Sequence, residues 1–452
     1  MRLDCPSQCG RSFVDTLLIT GIISNMKGRV AQTQKKRLRA YLRWVRPGLH
    51  LKRWLLLLTL GAGLLGIGLA TLLYRDAPLP TYLNFLNLHF VSPLLRGLLL
   101  SLLGLVFLVI ALWRLTHAML APVLEQVGGA YPELLYRYRM GESGPHIVVL
   151  GGGHGQATIL RGLKEYTPNL TAIVTVADDG GSSGRLRREM GILPPGDFRN
   201  CIAALADDES LVTRVLQYRF PSVGGLAGHS FGNLFISAMA AVTGSFENAL
   251  GESSRVLAVQ GRVLPSTLTA VMLAADVRRG DGTPLRVKGE SKIPEAGGEI
   301  LRVLLEPSNP KAYPRAIQAI LNADMIVIGP GSLYTSIMPN LLVPEIEQAI
   351  RASQATTVYV CNVATQPGET DRYTATQHVE ALDTHLGPDL FDVVVINDRS
   401  LDVALPNDMD WVTPTLLQDK LFNVVRADLT SRQYPWQHDS QKLADVVMQL
   451  LS

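Results

Sequence analysis

Two uncharged apolar runs constrain this chain more than any other feature. Residues 54–74 (WLLLLTLGAGLLGIGLATLLY) and residues 97–113 (GLLLSLLGLVFLVIALW) contain no charged side chain, and Arg96 and Arg114 bound the second run. A bilayer core takes roughly 17 to 25 apolar residues in helical form, whereas a soluble helix of that length keeps a polar face. The two runs are therefore expected to form a transmembrane hairpin. Trp54, Tyr74 and Trp113 sit at the ends of the runs, where amphipathic rings favour the membrane interface. A cleavable signal peptide is the poorer reading, because a long basic lead precedes the first run.

Charge sets the orientation. The chain has 42 Lys and Arg against 39 Asp and Glu, a net of +3 over 452 residues. Residues 1–53 alone hold 12 basic and two acidic side chains, which leaves 30 basic and 37 acidic for everything after them. The basic lead is expected to stay cytoplasmic and to contact anionic lipid headgroups. Two crossings then return the chain to the cytoplasm, with residues 75–96 outside. Met26 opens a compact basic stretch (MKGRVAQTQKKRLR) and is a second candidate start. The mildly acidic remainder lacks the footprint of a nucleic-acid binder. Four scattered cysteines make neither a disulfide framework nor a four-ligand zinc site. The expected organisation is a basic segment (1–53), a hairpin (54–114), a linker (115–144) and a cytoplasmic domain (145–452).

Within that domain, short β-branched runs at 146–150, 171–177, 323–329, 356–362 and 391–397 alternate with helical patterns. Runs apolar on both faces indicate a parallel sheet covered by helices. The expected fold is α/β, a Rossmann-like doubly wound, mostly parallel sheet. Between about 262 and 306 shorter segments, with turns at 281–283 and 296–298, suggest an antiparallel insertion.

Ligands of open α/β sheets bind beyond the carboxyl ends of the strands, and the informative residues fall there. GGGHGQATILRG (151–162) is a glycine turn into a helix, so Gly152, Gly153 and Gly155 are candidates to cradle a phosphate. The turn fits neither the dinucleotide fingerprint nor the Walker pattern. ADDGGSSGRLR (177–187) places Asp178 and Asp179 at a strand end, and PPGDFRNC (194–201) places Asp197 at a helix start. Such carboxylates suit Mg²⁺ or ribose hydroxyls, and equally suit helix or turn capping. GHSFGNLF (228–235) matches a nucleophile elbow but lacks the strand that must precede one. It reads better as a glycine-rich helix start, with Ser230 and Asn233 bonding a ligand. GPGSLYTS (329–336) offers Gly331, Ser332 and Tyr334, the last to stack on a base. In CNVATQPGETDRYT (361–374), Arg372 is suited to fork onto a diphosphate.

In this order, GGGHG, ADDGGSSGRLR, PPGDFRNC, GHSFGNLF, GPGSLYTS and TQPGETDRYT resemble the bacterial gluconeogenesis-factor family, of the CofD-like 2-phospho-L-lactate transferase superfamily, over about residues 145–450. The resemblance implies a UDP-sugar-binding protein that supports growth on gluconeogenic carbon sources and influences cell shape through the cell-wall synthesis machinery. It carries the nucleotide site onto Gly152, Gly153, Asp179, Asn233, Ser332, Tyr334 and Arg372, and a metal onto Asp179 and Asp197. His154 departs from the family, which has threonine there, and the hairpin is an addition to its cytoplasmic members. The leading expectation is a membrane-anchored nucleotide-sugar-binding regulator, with cell-wall synthesis proteins and a second copy of the chain as its protein partners. The alternative is an Mg²⁺-dependent phospholactate-type transferase, with Asp179, Asp197 or His154 as its catalytic groups.

Overall fold

The computed structural model describes residues 51–73, 92–126 and 144–452, apart from 208, 222–223, 401–402, 404, 407, 416–421 and 452. The basic lead before Leu51, Tyr74 and most of the segment between the apolar runs lie outside the described residues. The chain divides into two compact units, Met1–Glu133 and Leu134–Ser452.

In the first unit, α1 (Leu51–Leu73) and α2 (Pro93–Gln126) each contain a stretch long and apolar enough to cross a membrane. α2 continues beyond Trp113 into residues expected to be linker. Arg114 ends the apolar run but not the helix, because Arg and the Leu, Ala and Met that follow it are good helix formers. The two helices meet where side chains are lacking. A Cβ on Gly104 would lie 2.5 Å from the Leu65 nitrogen, and one on Gly61 3.0 Å from the Gly104 carbonyl oxygen. Close backbone approach of this kind lets helices associate without a hydrophobic driving force. Outward leucines stay exposed, Leu56 at 69% and Leu102 at 60%. The Arg114 guanidinium lies over Trp54 and Trp113, 5.5 and 5.2 Å from the ring centres.

The second unit opens with β1 (Ile147–Gly151), α3 (Gly153–Leu163) and β2 (Leu170–Val174). Five helices follow: α4 (Gly181–Met190), α5 (Gly196–Leu205), α6 (Glu209–Gln217), α7 (Phe231–Thr243) and α8 (Phe246–Val256). After β3 (Arg262–Pro265) comes the insertion, β4 (Met272–Arg278), β5 (Pro284–Lys288) and β6 (Glu299–Glu306). Then α9 (Pro314–Leu321) leads to β7 (Met325–Ile328), a π-helical turn (Leu333–Ile337), α10 (Met338–Leu341) and α11 (Pro344–Ala352). The chain ends with β8 (Thr356–Val360), α12 (Ala375–Leu386), β9 (Val393–Asn397), β10 (Asn423–Ala427) and α13 (Ser440–Gln449).

Seven strands form one parallel sheet in the order β10-β9-β8-β7-β1-β2-β3, and β5-β4-β6 form a separate antiparallel sheet. β1, β2, β7 and β9 are buried at every residue, as expected of strands covered on both faces. Two strands depart from the sequence reading. β3, assigned there to the antiparallel insertion, pairs parallel with β2, Thr171 opposite Arg262; its four residues end in Pro265, which suits a sheet edge. β10 is a second edge strand, largely exposed and without an apolar run to announce it.

The strand order reverses at β1. Its neighbours are β2, which follows it directly, and β7, which the chain reaches only after the insertion. Diverging loops at such a point leave a crevice at the carboxyl ends of the strands.

Candidate functional site

A cleft of about 460 Å³ lies at this reversal, lined by the loops after β1, β2, β7 and β8. A larger depression of about 700 Å³, with Arg262 and Arg315 in its wall, opens at the opposite ends of β1 and β2. Ligands of open α/β sheets sit at the carboxyl ends, so the first cleft is the candidate.

Its floor is the glycine turn. Gly152 is extended and Gly153 left-handed (φ +62°), and α3 starts there without a side-chain cap. A Cβ on Gly155 would run into the Pro330 carbonyl, so only glycine lets α3 approach the loop after β7 so closely. Asn362, after β8, holds Gly331 of that loop on both sides: Oδ1 accepts from its N–H (3.3 Å) and Nδ2 donates to its carbonyl (2.9 Å). Asn340 Nδ2 donates to the Gly151 and Ser336 carbonyls, both at 2.8 Å, tying the π-helical turn to the glycine turn. That turn also starts without a side-chain cap. Neither start is capped by its own N-cap side chain, but carboxylates bond part of each: the Gly153 N–H donates to Asp197, and the Tyr334 and Thr335 N–H groups donate to Glu369. The His154 and Gly155 backbone follows at the cleft wall, at a helix start of the kind that suits an anion. Ser332 Oγ, also in the wall, accepts from Gln366 Nε2 at 2.7 Å.

Opposite these donors stand carboxylates. Asp178, Asp197 and Glu290 line the cleft. Burial, with Asp178 beside it, pushes Asp197 up to about 7, against the opposing pull of the Gly153 N–H and Arg199. Burial and four neighbouring carboxylates push Glu290 up to about 8. Asp178 is raised as well, chiefly by burial. Beneath them the buried Glu369 is pushed up to about 7, and its Oε1 accepts from Thr335 Oγ1 at 3.0 Å. Groups that hold protons this firmly are short of positive charge. Among the described residues no three His, Cys, Asp or Glu side chains are grouped to enclose a metal. The pair Asp178 and Asp197 nonetheless suits Mg²⁺, which is usually held by one or two carboxylates together with substrate phosphates.

The structure gathers some of the sequence candidates and disperses others. Gly152, Gly153, His154, Gly155, Asp197, Gly331 and Ser332 line the cleft. Partial burial and the guanidinium groups of Arg199 and Arg161 hold His154 below its ordinary value, so the ring is neutral at pH 7. Asp179 is not in the wall: its Oδ1 accepts from the Ser291 N–H at 2.9 Å in the insertion, and Asp178 takes the place assigned to it. Tyr334 is only 2% exposed, its hydroxyl 3.1 Å from that of Tyr373 and its ring edge-on to Tyr373 and His385, so it cannot stack on a base. Arg372 is exposed and outside the cleft. Ser230 and Asn233 are buried in a closed network. Arg199 Nη1 donates to Ser230 Oγ (2.8 Å) and Asn233 Oδ1 (3.1 Å), and Ser230 Oγ caps α7.

Sequence reasoning missed Glu290, Met409, Trp436 and His438, all of which line the cleft. Glu290 arrives on the insertion, and the other three on loops after β9 and β10. His438 Nε2 donates to the Cys361 carbonyl at 3.2 Å, and burial pulls the ring down to about 4. The one available signal was the aromatic pair of YPWQH (434–438) in a loop between strand and helix.

The model of the family described as 2-phospho-L-lactate transferase CofD matches residues 147–445. The chain belongs to the CofD family. The gluconeogenesis factor of Bacillus subtilis is 45% identical over 315 residues, covering 68% of this chain and 98% of its own. A crystal structure of a UPF0052-family protein from Bacillus halodurans superposes with a TM-score of 0.63 at 42% identity, covering 67% of this chain and 99% of that one. A relative from Clostridium acetobutylicum described as a gluconeogenesis factor, 38% identical over 423 residues, takes in 91% of this chain and 92% of its own. An aligned span of 91% leaves too little outside it to omit α1 or α2. That alignment therefore takes in the α1 and α2 segment of this chain, while the Bacillus proteins match over little more than the α/β domain.

Proposed function

We propose that this chain is a membrane-anchored, cytoplasm-facing, nucleotide-sugar-binding regulator of carbon flow into the cell envelope, working with the cell-wall synthesis machinery. The observation that carries the reading is the crevice between β1 and β7, where the glycine turn into α3 meets Asp178 and Asp197. The His154 and Gly155 N–H groups at the start of α3 would take the diphosphate oxygens. Asp178 and Asp197 would hold Mg²⁺, which supplies the positive charge that lets phosphates lie beside carboxylates. The name of the Bacillus subtilis relative supports a role in gluconeogenic carbon use. The hairpin supports the anchor: its leucines face outward, and Trp54, Trp113 and Arg114 cluster at one end.

The test is calorimetric titration of the full-length protein, solubilised in detergent, with UDP-glucose in the presence and absence of Mg²⁺, followed by product analysis. Saturable, Mg²⁺-dependent binding without release of UMP or UDP is expected, and Asp178→Asn should weaken it. Absence of binding to any UDP-sugar sinks the reading. A transferase reading is favoured by the family model itself and by Asp197, whose proton affinity near neutrality suits a general base. Turnover abolished by Asp197→Asn would establish it in place of the regulator. The anchor is tested separately. Deleting residues 54–113 should release the protein from the membrane fraction, and retention there would refute it.

A further inference from the structure

We propose that Trp436 is the platform on which the nucleotide base stacks, in a subsite made by the loops after β9 and β10. This rests on the nucleotide reading above and deepens it. The aromatic that the sequence offers for stacking, Tyr334, is buried between Tyr373 and His385. Among the described residues, Trp436 is the only Trp, Tyr or Phe in the cleft wall, and Met409 accompanies it.

The platform is fixed before any ligand arrives. The loop that carries it is closed at its base by the Asp439 N–H to the Leu429 carbonyl (2.8 Å) and by a bridge between Thr430 and His438. Inside it, the Ser431 N–H donates to the Gln437 carbonyl (2.9 Å) and the Gln437 N–H to the Tyr434 carbonyl (2.8 Å). Asn397, at the end of β9, accepts from the Leu429 N–H at 3.0 Å. His438 carries the loop back across the sheet to the end of β8 through the Cys361 carbonyl. Tyr434 backs the indole edge-on, 5.7 Å between ring centres. The Met409 loop is held likewise, Asp410 and Thr365 exchanging two hydrogen bonds of 2.8 Å.

Position agrees with the chemistry. The glycine turn and the π-helical turn lie at β1 and β7, whereas Trp436 follows β10, three strand spacings or roughly 14 Å beyond β7 along the sheet before its loop folds back. A diphosphate held at the reversal therefore directs its nucleoside toward β8, where the indole waits. Every base has a π-face, so an indole rewards the presence of a base more than its identity.

The experiment titrates full-length protein in detergent, with Mg²⁺, with UDP and with inorganic pyrophosphate, for wild type, Trp436→Ala and Trp436→Phe. Trp436→Ala should weaken UDP about ten- to hundredfold and leave pyrophosphate within about threefold, while Trp436→Phe recovers most of the UDP affinity. Unchanged UDP affinity in Trp436→Ala overturns the platform and leaves the nucleotide reading standing. Equal loss of UDP and pyrophosphate overturns it too, because the indole would then be supporting the fold rather than the base. Failure of the wild type to bind UDP while it binds pyrophosphate refutes the nucleotide reading and the platform together.

Discussion

Two helix starts in this domain look alike in sequence and are used in opposite ways. GGGHGQ leads into α3 and GHSFGN into α7, each with glycines, a histidine and a side-chain amide. α3 starts at Gly152 with no side chain of its own to cap it; the Gly153 N–H bonds Asp197, and the first turn lines the cleft. α7 is closed: Ser230 caps it, Arg199 bonds both Ser230 and Asn233, and Asn233 Nδ2 donates to Ser182 Oγ at 3.1 Å. Ser182 Oγ in turn lies 2.9 Å from His229 Nδ1. Orphan N–H groups at a helix start need partners. At α7 buried side chains close the start and its glycines are architectural, whereas at α3 Gly153, His154 and Gly155 stay at the cleft wall, within reach of a ligand.

The largest effect is expected on the closed side. Arg199→Met removes the shared donor from Ser230, Asn233 and the Asn200 oxygen (3.0 Å), all in buried surroundings. A buried polar group left unpaired costs about 1–3 kcal/mol, so the domain should lose about 3 kcal/mol or more in urea unfolding. A loss below about 1 kcal/mol would show that the network is not what holds α7. On the open side, Gly155→Val drives a side chain into the Pro330 carbonyl. Overpacking of this kind costs about 1–3 kcal/mol, and UDP-sugar affinity should fall at least tenfold. Unchanged affinity would remove the α3 start from the binding site.

The contrast also explains what the sequence could and could not show. The central strands were legible because Val and Ile fill both faces of buried parallel strands, as in IVVLG and VVVIN. The edges β3 and β10 were not, since an edge strand needs only one covered side and carries no continuous apolar run. Motif positions pointed correctly to the loops at the strand ends, yet not to the direction of each side chain. Asp178 and Asp179 are adjacent, and only the first reaches the cleft. Tyr334 lies in the first turn of a helix start and is directed into the core, while Trp436 enters from a loop about a hundred residues later.

Asp197 sharpens the open side through pH. Its carboxyl is held well above the ordinary value, so the native state binds this proton more tightly than the unfolded chain does. Stability is then fully present below the ordinary carboxylate range, falls as pH rises, and the deficit is complete above about pH 7. Asp197→Asn should therefore raise the melting temperature at pH 8, by about 2 °C or more, and leave it unchanged at pH 4. Added Mg²⁺ should stabilise the wild type at pH 8 and fail to stabilise the variant. Equal Mg²⁺ effects in both would place the cation elsewhere.

The smallest expected effect separates the two starts most cleanly. Ser230 Oγ accepts from the Asn233 N–H at 3.3 Å and from Arg199. Ser230→Ala should cost about 1 kcal/mol, the usual loss for a removed N-cap. Because Ser230 is fully buried and outside the cleft, UDP-sugar affinity should stay within about threefold of wild type. A tenfold loss of affinity with the stability intact would mean that α7 also meets a ligand, and that the closed network opens to admit it. A loss of stability alone would leave the open α3 start as the ligand's, and GHSFGN as the structural twin of a binding loop.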